Sequence, residues 1–175
     1  YHGGQTGRER MDLKLKGKNA VILGGTRGIG RSIADTLAAE GANVAICARN
    51  DDQVTEAVSE LEALGIKATG GSVDITDGAA LKAWIKAAGD ELGGIDILIS
   101  NAGAMAQGND PDAWKKNFEL DVLGAVNAFD AASPFLTKAA KANGDAAFVI
   151  ITSISAAIAD SAGSYGPVKA SLIHM

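Results

Sequence analysis

The chain has 175 residues, 47% of them hydrophobic, which is enough for one domain with a buried core and excludes a disordered segment. Its net charge of −5 excludes a broadly basic protein, so we do not expect nucleic acid as a partner. The single cysteine, Cys47, excludes an internal disulfide and favours the reducing cytoplasm. No apolar run reaches the ~18 residues that span a membrane, so no membrane partner is expected.

Residues 1–10 carry no periodic apolar pattern, and we predict that they are a leader or linker remnant before one domain over residues 11–175. Short apolar runs predict five strands, in chain order 20–23, 43–48, 67–73, 95–100 and 146–152. Helical patterns separate them, over 28–40, 51–64, 77–93 and 111–132, and a last helix begins near residue 165. Strands that alternate with helices predict a parallel, doubly wound α/β sheet.

Local signals set the boundaries of these elements. Asp51 or Asp52 is expected to cap the second helix, and Asp77 opens the third. The long helix over 111–132 is expected to end at Ser133-Pro134, because a proline removes an interior hydrogen bond and clashes with the preceding turn. Cys47 follows an apolar run and is interpreted as a small buried hydrophobe.

The turn after the first strand, "LGGTRGIG", is rich in glycine, with Gly24, Gly28 and Gly30 spaced G-x-x-x-G-x-G. Glycines allow a sharp turn and a close approach to a pyrophosphate, and the following helix N-terminus offers free N–H groups and partial positive charge. The turn therefore predicts a dinucleotide site that also includes the intervening Thr26, Arg27 and Ile29. The alternative is a tight turn that binds no ligand.

Four motifs in order resemble the short-chain dehydrogenases/reductases: the glycine turn, Asn101-Ala102-Gly103 after the fourth strand, Ser153 after the fifth, and Tyr165 with Lys169. The resemblance implies a Rossmann-type sheet with strand order 3-2-1-4-5, and the family's strands 6 and 7 are absent from the given sequence. It further implies that Asn101, Ala102 and Gly103 line the cofactor, although Asn101 could instead bond the backbone of neighbouring strands.

The end of the second strand discriminates between nicotinamide cofactors. An acidic residue there would bind the ribose 2′-hydroxyl of NAD, but the strand ends "AICARN", without one. Arg49, with Arg27 in the glycine turn, could instead hold a 2′-phosphate through bidentate hydrogen bonds. We therefore expect NADP(H), with NAD(H) as the alternative. The resemblance implies that Asp74, after the third strand, hydrogen-bonds the adenine.

Tyr165 and Lys169 are four residues apart and share a helix face. A free tyrosine has a pKa near ~10, and a nearby ammonium favours the phenolate, so the pair can perform general acid–base catalysis. Pro167 is compatible with the first helical turn, where Ser164 would be the N-cap. Ser153, 12 residues before Tyr165, is preferred over Ser155 as the hydroxyl that bonds the substrate oxygen. The resemblance implies that Lys169 also binds the nicotinamide ribose.

Two positions depart from the family pattern. The motif F-x-x-N-x-x-G matches 118–124, but Asp121 stands where the family has the asparagine that holds a water in its proton relay. A carboxylate could also hold a water, although its charge would disfavour the tyrosinate. Leu23 replaces a threonine before the first glycine, and the turn loses a side-chain hydrogen bond.

The expected function is hydride transfer between a nicotinamide and a small carbonyl or secondary alcohol, with no metal. The alternative is a truncated or inactive nucleotide-binding remnant, because relatives of about 250 residues carry a substrate-covering part that is missing here. The resemblance also implies a homodimer or homotetramer that pairs through the helix over 111–132 and the helix that begins at Tyr165.

Overall fold

The computed structural model describes residues 12–106, 108–158 and 163–175, and the predicted leader 1–10 lies outside these ranges. Its centre is a five-stranded parallel sheet with strand order β3-β2-β1-β4-β5, which confirms the predicted order. The strands are β1 Asn19–Leu23, β2 Asn43–Ala48, β3 Ala68–Ser72, β4 Ile97–Ser100 and β5 Ala147–Ile150. The chain order reverses between β1 and β4, where ligands of such sheets bind.

Helices lie on both faces of the sheet. They are α1 Gly28–Ala39, α2 Asp51–Glu62, α3 Gly78–Leu92, α4 Pro111–Asn117, α5 Gly124–Asn143 and α6 Tyr165–Ser171. A π-helical segment, Phe118–Leu123, joins α4 to α5, and single 3₁₀ turns span Ile154–Ala156 and Leu172–His174. Within the described ranges, no helix is long and apolar enough to cross a membrane.

Successive side chains of β1 point to opposite faces of the sheet and contribute to two apolar cores. Val21 and Leu23 point toward α3 and α5, while Ile22 points toward α1 and α2. Both faces of the central strands are therefore buried, as a parallel sheet covered by helices requires. Cys47 is fully buried on the α3–α5 side, which confirms its interpretation as a core residue.

Two predicted boundaries were wrong. The cap of α2 is Asn50, whose Oδ1 accepts a hydrogen bond from the Gln53 N–H at 2.8 Å, rather than Asp51 or Asp52. The helix after residue 111 does not end at Pro134 but continues to Asn143. Pro134 lies on the exposed side, and the buried face that packs on α3 continues past it to Leu136. That packing outweighs one missing backbone hydrogen bond.

Candidate dinucleotide and acid–base site

A cavity of about 570 Å³ opens at the carboxyl ends of the strands. It lies at the switch point between β1 and β4 and extends over the end of β2. Its lining comprises Gly24, Thr26, Arg27, Gly28, Ala48, Arg49, Asn50, Gln53, Val73, Asp74, Ile75, Asn101, Ala102, Gly103 and Leu120. Most of the predicted cofactor-binding residues therefore surround one cavity.

The glycine turn is built so that only glycine fits at several positions. Gly24 and Gly28 have φ of +77° and +57°, in the left-handed region. A Cβ on Gly30 would lie 2.1 Å from the Gly24 carbonyl oxygen, and a Cβ on Gly25 would lie 2.4 Å from Ile46 Cγ2. The motif spacing did not mark Gly25, although the sequence has two consecutive glycines at positions 24 and 25. Gly30 packs inside the turn, and Ile29 is exposed outside the cavity, so neither lines it.

The first turn of α1 is open toward the cavity. Arg27 occupies its N-cap position, and no side chain accepts hydrogen bonds from the backbone there. The first N–H groups of a helix have no partner within the helix, and they carry the positive end of its dipole. This end of α1 can therefore bind an anion such as a pyrophosphate.

Asn101 holds the glycine turn in place. Its Nδ2 donates to the Gly24 carbonyl at 3.0 Å and to the Leu23 carbonyl at 3.3 Å. The Ala102 N–H also donates to the Leu23 carbonyl, at 2.9 Å. Asn101 thus has the structural role that was left open, while it also lines the cavity.

Two arginine side chains line the part of the cavity near the end of β2. Arg27 and Arg49 are both exposed, and neither forms an ion pair with any residue in the described ranges. Asp74 accepts hydrogen bonds from the Thr76 hydroxyl and N–H at 2.8 and 3.0 Å, and these bonds, aided by the charge of Arg49, lower the pKa of its carboxyl. The two guanidinium groups are free to meet a phosphate.

The π-helical segment places a buried carboxylate beside Lys169. Asp121 Oδ2 lies 3.0 Å from Lys169 Nζ, and the two side chains are 0% and 5% exposed. Asp121 Oδ1 accepts from the Ala104 N–H at 2.7 Å, whereas Oδ2 has no well-aligned hydrogen bond and is compensated by charge. Burial raises the pKa of the Asp121 carboxyl, against the opposing effects of the Lys169 ammonium and the Ala104 N–H.

Lys169 is held between the strand end and Asp121. Its Nζ donates to the Ile151 carbonyl at 3.2 Å and lies 5.8 Å from the centre of the Tyr165 ring. A Cβ on Gly103, which lines the cavity, would lie 3.1 Å from Nζ. The Lys169–Asp121 pair therefore lies behind Gly103, next to the cavity, but Lys169, Tyr165 and Ser153 are not among the residues that line it.

Tyr165 begins α6, as predicted, and is half-buried. The 3₁₀ turn Ile154–Ala156 packs on this helix so closely that a Cβ on Gly166 would lie 2.8 Å from the Ser155 carbonyl oxygen. Ser153 is the N-cap of that turn, and its Oγ accepts from the Ser155 N–H at 3.2 Å. Ser153 therefore keeps its hydroxyl proton available for another acceptor.

Two kinds of site residue escaped the sequence reasoning. Asn117, the last residue of α4, is fully buried and hydrogen-bonded on both sides of its amide, yet no motif marked it. Leu120 lines the cavity from the π-helical segment. Its position depends on this irregular helical segment, which the local sequence does not predict. No metal-binding cluster occurs among the residues that the structure describes.

Comparisons with known proteins agree with this geometry. The family model of the short chain dehydrogenases matches residues 18–175. Isoepoxydon dehydrogenase from Penicillium expansum is 34% identical over 132 residues, which are 74% of this chain and 51% of that protein. The chain thus spans about half the length of this curated relative.

Two solved structures share the fold at similar identity. A short chain dehydrogenase from Burkholderia cenocepacia, solved in complex with NADP, has a TM-score of 0.84 and 32% identity, over 91% of this chain and 66% of that one. The NADH-dependent reductase A1-R′, complexed with NAD, has a TM-score of 0.85 and 32% identity, over 93% and 71%. The family model matches residues 18–175, which are nearly all of this chain. The chain therefore belongs to the short chain dehydrogenase family.

Proposed function

We propose that the protein is an oxidoreductase that interconverts a small carbonyl compound and a secondary alcohol with NADP(H). The observation that carries this proposal is the position of Gly103, which lines the glycine-turn cavity and lies against the Lys169 ammonium, itself 5.8 Å from the Tyr165 ring centre. The acid–base pair therefore lies beside the dinucleotide cavity, across Gly103 from it. The related structures bound to NADP and NAD support a nicotinamide as the cofactor.

The residues present fit a dinucleotide. The cradle is closed to any Cβ at Gly30, and the open N-terminus of α1 faces the cavity, as close contact with a pyrophosphate needs. Gly24, Thr26, Arg27 and Gly28 would hold the diphosphate, and Asn101, Ala102 and Gly103 would lie along the nicotinamide half. A bound nicotinamide supplies the hydride in reduction and accepts it in oxidation.

The chain's own residues handle the proton and the substrate oxygen. In reduction, the Tyr165 hydroxyl donates its proton to the carbonyl oxygen, and in oxidation the phenolate accepts the proton of the alcohol. Lys169, 5.8 Å from the ring, supplies positive charge and would also bind the nicotinamide ribose. Ser153 donates a hydrogen bond to the same substrate oxygen, and Asp121 fixes the Lys169 ammonium in place.

We further propose that the cofactor is NADP(H) rather than NAD(H). No carboxylate occupies the end of β2, and the guanidinium groups of Arg27 and Arg49, which pair with no acidic residue of the described ranges, line that part of the cavity. A 2′-phosphate would receive their bidentate hydrogen bonds, whereas a 2′-hydroxyl would not compensate the two positive charges. Asp74, close enough to Arg49 for its pKa to be affected, would meet the adenine side.

The test is Tyr165→Phe in the full-length protein, with NADPH binding followed by fluorescence and turnover followed on a panel of carbonyl compounds. We expect dinucleotide binding within about twofold of the wild type and a fall in kcat of at least ~100-fold, since general acid catalysis contributes about 10²–10⁴. Unchanged turnover would refute the role of Tyr165. The same titration on the wild type tests the dinucleotide site itself.

A second function, dinucleotide binding without turnover, is favoured by one observation. The Lys169 charge is already neutralised by Asp121 inside the protein, which weakens its help to a phenolate. If this second function is correct, NADPH binds but no carbonyl compound in the panel is reduced, even at high enzyme concentration. Detectable turnover that Tyr165→Phe abolishes excludes it.

We also propose that the protein forms a homodimer or homotetramer in the cytoplasm. Large apolar side chains on α4, the π-helical segment and α5 are about two-fifths exposed in the single chain: Trp114, Phe118, Leu123, Val126 and Phe129. A second copy would cover them, because apolar surface of this kind marks interaction sites. Light scattering that gives only monomers at micromolar concentration would contradict this, and the free buried thiol of Cys47 suits a reducing compartment.

A further inference from the structure

Asn117 joins three parts of the site that are distant in sequence. It is the last residue of α4 and is 0% exposed, although its amide is polar. Its Oδ1 accepts from the Ala106 N–H, and its Nδ2 donates to the Ala106 carbonyl, both at 3.1 Å. The same Nδ2 donates to Ser164 Oγ at 2.8 Å. One side chain therefore links α4, the loop after β4 and the residue that precedes Tyr165.

The bond to Ser164 uses a hydroxyl that would ordinarily cap a helix. Ser164 occupies the N-cap position of α6 and is fully buried, yet its side chain accepts no hydrogen bond from that helix. A serine N-cap bonds the N–H of the second or third helical residue, and the third residue here is Pro167, which has no N–H. The proline thus removes one of the two N–H groups that the Ser164 hydroxyl could cap, the Gly166 N–H is not bonded by it, and the hydroxyl accepts from Asn117 instead.

The backbone around this bond is also paired. The Ser164 N–H donates to the Gly108 carbonyl at 3.2 Å, and Gly108 forms a parallel bridge with Gly163. A Cβ on Gly163 would lie 2.5 Å from the Gly108 oxygen, so the two backbone segments are too close to admit a side chain at Gly163. The start of α6 is therefore fixed against Gly108 by backbone bonds and against Ala106 by the Asn117 side chain.

Asn117 and Asp121 form matching links, four residues apart. Asp121 joins the Ala104 N–H to Lys169, and Asn117 joins Ala106 to Ser164. Both therefore connect the loop after β4 with α6, one at Lys169 and the other beside Tyr165. Asp121 contacts a charged group of the site, Lys169, directly. Asn117 contacts Ser164, and it can therefore affect the position of the Tyr165 phenol only through that residue.

We propose that Asn117 is a positioning residue, which sets the place of the Tyr165 hydroxyl by holding Ser164 against Ala106. The proposal rests on the proposed acid–base role of Tyr165. Misplacement of a reacting group by about 1 Å can lower a rate by about 10²-fold, so a loosened first turn of α6 would slow the chemical step. Neither Asn117 nor Ser164 lines the dinucleotide cavity, so the cradle at Gly24–Gly30 would keep its affinity.

The test is Ser164→Ala in the full-length protein, because Asn117→Ala removes all three bonds and risks the fold. Ser171→Ala is the matched control, since Ser171 lies on the same helix and its hydroxyl donates to the Val168 carbonyl of its own helix, at 2.7 Å. We measure kcat per dinucleotide-binding site, Kd for NADPH, and the primary isotope effect with cofactor deuterated at the transferred position.

The expected result for Ser164→Ala is a fall in kcat of about 10-fold, an isotope effect larger than in the wild type and a Kd within twofold, with Ser171→Ala unchanged. A kcat per site within twofold of the wild type overturns the proposal. So does a loss of NADPH binding in step with kcat, because that marks general loss of structure. Turnover retained by Tyr165→Phe would instead refute the proposed function, so the two failures are distinguishable.

Discussion

Replacing Asp121 with asparagine tests whether its charge opposes the phenolate of Tyr165. The carboxylate lies 3.0 Å from Lys169 Nζ, which lies 5.8 Å from the Tyr165 ring centre. Asparagine keeps an oxygen for the Ala104 N–H but removes the negative charge. Loss of that charge favours the phenolate, so the base form required for alcohol oxidation should be present at lower pH.

The expected size follows from the distances. A carboxylate about 9 Å from the ring centre interacts with a negative charge there by about 1.8 kcal/mol at an effective dielectric constant of about 20. Since one pH unit corresponds to about 1.4 kcal/mol, the inflection in the pH–rate profile should move down by about one unit. Solvent that enters the open cavity beside Gly103 would screen part of this interaction, so a shift of ~0.5 unit still agrees with the reasoning.

The assay is kcat/KM for alcohol oxidation and for carbonyl reduction between pH 5 and 10, at constant ionic strength. In the Asp121→Asn variant, both profiles should move to lower pH. Glu119→Gln is the matched control, because Glu119 lies in the same π-helical segment but pairs with the exposed Lys115 at 3.8 Å. Profiles of Asp121→Asn that superimpose on the wild type, or that move to higher pH, would refute the electrostatic reasoning.

Three further predictions concern the cofactor site and the core. Arg49→Glu should raise KM for NADPH at least ~10-fold more than KM for NADH, because charge-assisted bonds to a phosphate become repulsion; equal effects would contradict the assignment. Gly30→Ala should abolish NADPH binding in a fluorescence titration, since its Cβ would lie 2.1 Å from the Gly24 carbonyl oxygen, and binding within tenfold of wild type would contradict the cradle. Burial raises the pKa of the Cys47 thiol to about 12, so at pH 8 it should react with a disulfide reagent only after unfolding; rapid labelling of the native protein would show the core to be open.

The strands and the glycine turn could be predicted because both depend on local sequence, whereas the strand order followed from the resemblance to the family. Each buried strand needs an apolar run, and each crowded turn position needs a glycine, whatever the rest of the chain does. The α6 start at Tyr165 was likewise readable from Pro167. Pro134 misled the same reasoning, because the packing of α5 on α3 is a tertiary effect that one residue's propensity does not report.

The partners of the site residues were not predictable, because they are contacts between distant segments. Asp121 was recognised as a departure from the family pattern, but its distance to Lys169 depends on how the π-helical segment meets α6. Asn117 carried no signal at all, since an asparagine near the end of a helix is usually solvated. Only its complete burial, with every polar atom bonded, distinguishes it.

The Asp121–Lys169 pair is better explained by function than by stability. A buried ion pair gains little over apolar residues of the same size, because removing both charges from water costs several kcal/mol that their attraction only partly offsets. Asp121 also leaves Oδ2 without a well-aligned hydrogen bond, which adds to that cost. In return, the pair fixes an ammonium 5.8 Å from the Tyr165 ring and against Gly103, which lines the cavity. A stabilising role alone would not require the ammonium group at this position, whereas the proposed acid–base site beside a dinucleotide does.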